Sequence, residues 1–295
     1  MLDMIFFGHF AKDIIEVAGK KEVAAGGGVF YGGIAAIIAG ARIAVITRYN
    51  QNDEAMIQPL KDAGATLYAQ YTDSTSGLHN IYKDPTMETR ECYPLGFAGT
   101  IQPSQIPRGL DAQYIMCTPI ISGEIDMELL RYIAHRFTGK LCLDIQGFVR
   151  VVENNDVIFK DWVEKEEGLA LVTVLKMDAA EARAITGKRS LKLALQKITS
   201  WGPKEILLTN VEGAKIFTDS SETFFFPWKA KSMDGRTGRG DTCFASYIAS
   251  RLNSNIRESL KYAVTATSLK MEVPGPLSIE KKRILEYKDL WFSDQ

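Results

Sequence analysis

Histidine and cysteine are scarce in this chain, and neither is clustered. Three histidines (His9, His79, His135) and four cysteines (Cys92, Cys117, Cys142, Cys243) are spread over 295 residues. No two cysteines lie within ten residues of each other, so there is no CxxC pair and no zinc-type spacing. That pattern argues against a structural metal site and a disulfide framework, and dispersed thiols suit a reducing cytoplasm. Excess charge of one sign is also missing. Thirty-five basic against 36 acidic residues leave a net charge of −1, which argues against a global attraction to nucleic acid. The start, Met1-Leu2-Asp3, lacks the basic segment of a secretory signal, so a cytoplasmic protein is expected.

What is present is ordinary globular material. Apolar residues make up 46% and charged residues 24%, which excludes a disordered or collagen-like chain. One uncharged run, residues 23–41, reaches the length of a membrane span at 19 positions. Six glycines interrupt it, three of them consecutive. That suits a turn entering a buried helix, and no membrane partner is expected.

Short apolar runs alternate with helical patterns. Met4–Gly8, Arg42–Thr47, Tyr114–Cys117, Leu141–Asp144, Leu171–Leu175 and Glu205–Thr209 read as strands. Asp126–Phe137 and Ala179–Thr186 read as helices between them, and Thr242–Leu252, Ile256–Met271 and Ser278–Asp289 as a helical C-terminal third. The alternation predicts an α/β chain with a parallel sheet covered on both faces, a Rossmann-like three-layer α/β/α sandwich. Gly77–Tyr82 and Glu88–Tyr93 flank Lys83-Asp84-Pro85 and predict an antiparallel hairpin; Ala214–Phe217 and Thr223–Phe226 predict another. With the segment around Ile14–Val23, the first hairpin predicts a small β-lid over about 12–24 and 75–97 of a single domain, 1–295. Exposed lid edges invite pairing into a homodimer.

Asp234–Ser246, DGRTGRGDTCFAS, carries the most chemistry. Gly235, Gly238 and Gly240 precede an apolar helix opening near Asp241. Glycines let backbone approach a ligand closely, and N–H groups at a helix N-terminus suit a phosphate. An Asp at such a mouth is also a placed general base. The alternative on local chemistry is a capped helix after a loop. The Lys-Ser/Thr pair of a P-loop is absent. So is a G-x-G-x-x-G after the first strand, which sets aside a dehydrogenase. Arg239-Gly240-Asp241 also spells an adhesion tripeptide, set aside for want of a secretion signal.

TGRGDTCFAS resembles the C-terminal signature of the ribokinase-like (PfkB) carbohydrate kinases, T-G-A-G-D-x-F-x-x-G. The resemblance implies that Asp241 deprotonates an acceptor hydroxyl while the N–H groups of Gly238, Arg239 and Gly240 form the anion hole. Arg239 stands where a small residue is usual, and Ser246 replaces the last glycine. Other landmarks follow the family order. Gly8 and Asp13 match G-x4-D, whose Asp binds sugar hydroxyls. Gly26 and Gly27 take the glycine places of G-G-x3-N-x-A, with Tyr31 where Asn is common. Asp178-Ala-Ala-Glu181 stands for N-x-x-E, which organises water around Mg²⁺ and the nucleotide phosphates. Thr209 to Gly213 resembles the T-x-G-x-x-G loop beside the nucleotide, with Val211 replacing its first glycine, and Val273–Pro276 resembles the loop near the adenine. Leu143–Arg150 (LDIQGFVR), GHFAKDI at the start and Tyr31 are similar to segments of archaeal inositol kinases.

These resemblances imply a ribokinase-like fold and ATP- and Mg²⁺-dependent phosphorylation of a small sugar, polyol or nucleoside-like alcohol. Asp13, Gly26, Gly27, Tyr31, Gln146 and Arg150 would bind substrate. Asp178, Thr209 and Gly213 would bind the nucleotide, and Glu181 would reach Mg²⁺ through water. For Gln146 and Arg150 the alternative is a polar turn with a solvated arginine. For the whole chain the alternative is a catalytically weak ligand-binding or regulatory protein on the same scaffold, motivated by the departures at Tyr31, Asp178, Val211 and Arg239. His9 is expected to be structural and Cys243 packed; Lys20-Lys21 and Lys281–Arg283 read as solvated faces.

Overall fold

The computed structural model describes residues 2–82, 90–220 and 222–293. The chain opens with β1 (Leu2–Phe7), β2 (Ala11–Val17), β3 (Lys20–Gly26), α1 (Gly28–Ile38), β4 (Ile43–Tyr49), α2 (Glu54–Asp62) and β5 (Thr66–Tyr71). The hairpin strands β6 (Gly77–Tyr82) and β7 (Arg90–Gly96) follow, then β8 (Ala112–Cys117), α3 (Met127–Arg136), β9 (Lys140–Asp144) and the single turn α4 (Gln146–Val149). Next come β10 (Arg150–Glu153), β11 (Asp156–Phe159), α5 (Lys165–Ala170), β12 (Val174–Met177), α6 (Ala179–Thr186) and α7 (Leu191–Thr199). The chain closes with β13 (Glu205–Thr209), β14 (Gly213–Thr218), β15 (Thr223–Pro227), α8 (Arg239–Arg251), α9 (Ile256–Met271) and α10 (Lys281–Phe292).

Nine strands form the central sheet, in the order β15-β14-β13-β12-β9-β8-β1-β4-β5. It is parallel from β5 across to β13, and β14 and β15 extend it antiparallel. Strands buried on both faces need apolar residues at every position. Met4–Phe7 in β1 meet that need, each with no exposed surface. One face packs against α1, α8 and α9, and the other against α3, α6 and α7, giving the expected three layers. A separate four-stranded sheet, β3-β2-β6-β7, forms the lid.

The uncharged run around α1 is explained by packing. A Cβ on Gly32 would stand 3.2 Å from the Ala245 Cβ, and one on Gly33 would stand 2.9 Å from Leu60 Cδ1. These glycines let α1 lie close against α8 and α2. Among the described residues no helix is long and apolar enough to cross a membrane.

The structure departs from the sequence reading in several places. The run Leu171–Leu175 is not the strand: Leu171 and Val172 close the turn after α5, and β12 starts at Val174. Its far end is disguised by Lys176, a buried lysine in a core strand. Strand β5, helix α2 and the β10–β11 hairpin were not expected. The turn at Lys83-Asp84-Pro85, and Glu88, lie outside the described residues. Helix α8 opens at Arg239, two residues earlier than expected, so Asp241 sits inside its first turn.

Candidate active site

The glycine segment before α8 makes a tight entry. Gly238 is the N-cap residue and is left-handed, with φ +79°. Its Cα faces the Tyr31 ring from the first turn of α1, where a Cβ would come within 2.4 Å of the ring. The Arg239 N–H donates to the Arg236 carbonyl at 3.1 Å. Of the three amides expected in the anion hole, this one is therefore already engaged in closing a turn. The Arg239 guanidinium lies over the Trp228 ring, 5.9 Å from its centre.

Behind Gly240 lies a buried ionic cluster. A Cβ on Gly240 would stand 3.2 Å from Lys176 Nζ. Lys176 pairs with Asp144 at 2.9 Å, both side chains being almost fully enclosed. Burial alone would pull the lysine pKa down, but Asp144, Glu181 and Asp241 together carry it above the usual value. The ammonium is therefore a fixed positive charge at the site. Asp178 caps α6, accepting from the Ala180 and Glu181 N–H groups, while Glu181 accepts from the Asp178 N–H at 2.8 Å. This reciprocal capping box occupies the place of N-x-x-E. Arg150, only 9% exposed, reaches Glu181 at 3.4 Å. It is thus a buried partner and not the solvated arginine of a polar turn. Burial raises the Glu181 pKa, with Lys176 and Arg150 opposing.

The residues expected on the acceptor side lie on and beside the four-stranded lid sheet. Asp13 lies within β2 of the lid, inside the segment expected to form it. Its Oδ1 accepts from the Leu78 N–H at 2.8 Å. Gly26, at the end of β3, leaves the room this carboxylate needs: a Cβ there would be 2.3 Å from Asp13 Oδ2. Gly27, φ +89°, caps α1 and passes the His9 carbonyl where a Cβ would come within 2.5 Å. Burial, and then the charges of Asp13 and Asp241, push the Tyr31 phenol pKa above its ordinary range. Asn80, 2% exposed on β6, has an enclosed Oδ1 without a hydrogen-bond partner.

A single cavity of about 900 Å³ gathers most of these groups. Asp241, Gly238, Arg239, Gly240, Gln146 and Arg150 line it, as do Asp178 and Thr209. A recess of about 150 Å³ adjoins it, sharing Thr209 and Asn210 and bounded by Gly213, Leu208 and Phe225. His9 belongs elsewhere. It is fully buried, with Nδ1 2.6 Å from the Ser76 hydroxyl and Nε2 2.8 Å from the Gly99 carbonyl. Cys243 is packed, and burial raises its thiol pKa to about 12.

Sequence reasoning passed over Lys176, Asp144, Arg183, Arg236 and Lys270. Arg183 and Arg236 line the cavity. Lys270 is 2% exposed, with burial drawing its pKa down to about 7 and Asp241 opposing. A charged residue inside an apolar strand or helix pattern was the one available signal, since burying a charge without a partner is costly.

For magnesium, the described residues contain no group of three His, Cys, Asp or Glu side chains placed to hold a metal. Asp178 and Glu181 are engaged in their capping box. A magnesium ion here would arrive on the donor phosphates and keep much of its water shell, where Glu181 could meet it only indirectly.

No family model matches the chain. Among solved structures, it is similar to a pyrophosphate-dependent kinase of the ribokinase family, complexed with a pyrophosphate analog and myo-inositol. The identity is 32%, the TM-score 0.87, and the match covers 96% of this chain and 99% of the other. An Arabidopsis thaliana ribokinase complexed with ribose and ATP shares the fold at 16% identity, TM-score 0.75, over 97% of this chain and 98% of its own. A cytidine kinase of Thermococcus kodakarensis is 24% identical over 263 residues, 84% of this chain and 88% of the relative. A full-length match at 32% identity, on a sheet, lid and glycine entry of this order, shows that the chain belongs to the ribokinase-like (PfkB) family of carbohydrate kinases.

Proposed function

We propose that this kinase transfers a phosphoryl group from inorganic pyrophosphate to a hydroxyl of a cyclic polyol of the myo-inositol class. The observation that carries the donor is charge. Five basic side chains, Arg150, Lys176, Arg183, Arg236 and Arg239, line the cavity around Gly238–Asp241. Such a cluster suits a compact polyanion gripped at both phosphates. Val211 in place of a loop glycine, and Asp178 in place of Asn, move the donor side away from the nucleotide pattern. The pyrophosphate-dependent relative supports the same reading for both donor and acceptor.

The step divides the work between the cavity lining and the buried pair Asp13 and Tyr31, which lie outside that lining. Asp13 and Tyr31 hold the acceptor under the lid, with Gln146 reaching it from α4. Asp241 takes the proton of the attacking hydroxyl. The acceptor oxygen forms the new P–O bond while the anhydride P–O bond breaks, and orthophosphate leaves. The amides of Gly238 and Gly240, with Lys176 behind them, stabilise charge on the transferred group. Magnesium on the donor would neutralise further phosphate charge.

A second donor, ATP, is favoured by the recess beside Thr209 and Asn210, whose Leu208 and Phe225 could flank a base. The deciding experiment runs the enzyme with myo-inositol and related polyols, sugars and nucleosides, with pyrophosphate or ATP in parallel at equal Mg²⁺. Orthophosphate release that needs both pyrophosphate and a polyol supports the proposal. Turnover with ATP alone would replace the donor. Binding of a panel compound without turnover from either donor would favour the ligand-binding alternative.

A further inference from the structure

Lys270 lies near the end of α9 and does not line the cavity, yet it is one of the most enclosed charged side chains in the described residues at 2% exposure. Its Nζ donates to the Gly235 and Thr237 carbonyls, the backbone just ahead of the anion hole. The Tyr31 ring centre lies 5.0 Å from the same Nζ. Around it the loop and α9 pack backbone to backbone: the Gly235 N–H donates to the Met271 carbonyl at 2.7 Å, and a Cβ on Gly235 would come within 2.0 Å of the Val273 carbonyl.

A trans peptide is planar, with its carbonyl and its N–H pointing in opposite directions. Holding the Thr237 carbonyl therefore turns the Gly238 N–H of the same plane away from Lys270. Thr237 and Gly238 border the cavity and Lys270 does not. A methionine would fill the same volume without bringing an amino group into the core, but it would leave two carbonyls without donors.

We propose that Lys270 is a positioning residue for phosphoryl transfer. Its tethered amino group fixes the Gly235 and Thr237 carbonyls and so aims the Gly238 amide at the transferred group. The inference rests on the phosphoryl-transfer reading of the site, and its test is separable from that reading.

The test uses Lys270→Met and Lys270→Ala in the full chain. Hydrogen exchange over the peptide containing Thr237–Gly240 is read first, without any substrate. Faster exchange there in Lys270→Met, with the β1 and β8 peptides unchanged, is expected. Unchanged exchange in that peptide would overturn the proposal, whatever the enzyme phosphorylates. Turnover is read second. A loss of about 100-fold in kcat, on the scale of removing one anion-hole donor, is expected with KM for the acceptor little changed. Added n-propylammonium, which replaces the atoms lost in Lys270→Ala, should restore turnover to that variant and not to Lys270→Met; n-propanol should not. A loss confined to KM, or equal effects of amine and alcohol, would overturn the positioning role. If Lys270→Ala fails to fold, Lys270→Met still decides by exchange and by the kcat–KM split. Faster exchange in a protein with no turnover from any donor would leave the loop anchor standing and remove the kinase reading.

Discussion

Gly238 and Tyr31 are in direct contact: the glycine Cα rests on the phenol ring, and a Cβ would come within 2.4 Å of the ring's Cγ and Cδ1. The aromatic residue that stands where the family pattern has Asn thus forms the wall against which the glycine entry to α8 is built. Lys270 approaches the same ring. A departure that first looked like a change in substrate contact is also a change in how the glycine entry to α8 is supported.

Gly238→Ala should therefore lose on two counts. The φ of +79° disfavours any side chain, and the new methyl meets the ring. Backbone strain of this kind costs about 1 kcal/mol or more, and a misaimed amide about 100-fold in turnover. Urea unfolding and steady-state kinetics measure the two parts. An active, equally stable variant would show that the loop has room to move.

Asp241→Asn keeps the shape of the first turn of α8 and removes the proposed base. Turnover should fall by about 10²–10⁴-fold, while pyrophosphate binding measured by calorimetry stays within a factor of a few. Unchanged turnover would remove Asp241 from its assigned role.

Lys176→Met should destabilise the fold as well as weaken donor binding, because it strands Asp144 in the interior. Breaking one side of a buried ion pair costs about 3–5 kcal/mol. Adding Asp144→Asn should recover stability without recovering turnover. A double mutant no more stable than Lys176→Met would show that the pair is not energetically coupled.

His9 and Glu124 set a pH dependence of stability. Burial lowers the His9 pKa to about 3 and raises that of Glu124 to about 8, and the two side chains stand 3.7 Å apart. A depressed histidine loses stability as pH falls from 6.5 towards 3. A raised carboxyl loses it as pH rises from 4.5 to 8. Their slopes cancel between 4.5 and 6.5, and above that the Glu124 limb stands alone. Unfolding free energy should fall between pH 6.5 and 8, and Glu124→Gln should flatten that fall. A variant with the same slope as the parent would place the titrating group elsewhere.

Cys92 is the accessible thiol. Cys117, Cys142 and Cys243 are buried, and burial raises all three pKa values. Cys92 lies on β7 and lines the cavity. Native labelling with a maleimide should add one adduct, seen by intact mass, and myo-inositol should slow it. Rapid labelling of a second cysteine would mean that the core opens readily.

The sequence by itself determined the sheet alternation and the chemistry whose geometry is local. Gly238, Arg239, Gly240 and Asp241 are chain neighbours, so a glycine turn feeding a helix follows from their order alone. The Asp178–Glu181 box is legible for the same reason, since an N-cap and its third residue meet across one helical turn. Strand β5 escaped notice because its burial is partial along its length, and β12 was expected three residues early because Lys176 interrupts its apolar pattern.

Only the tertiary structure decided what the long-range partners do. Lys270 meets carbonyls 35 and 33 residues away, Arg150 meets Glu181 31 residues away, and His9 meets Ser76 67 residues away. Spacing in the chain carries no information about such contacts. They exist because parallel strands and their crossover helices bring distant segments to one end of the sheet, where a buried charge must find a partner.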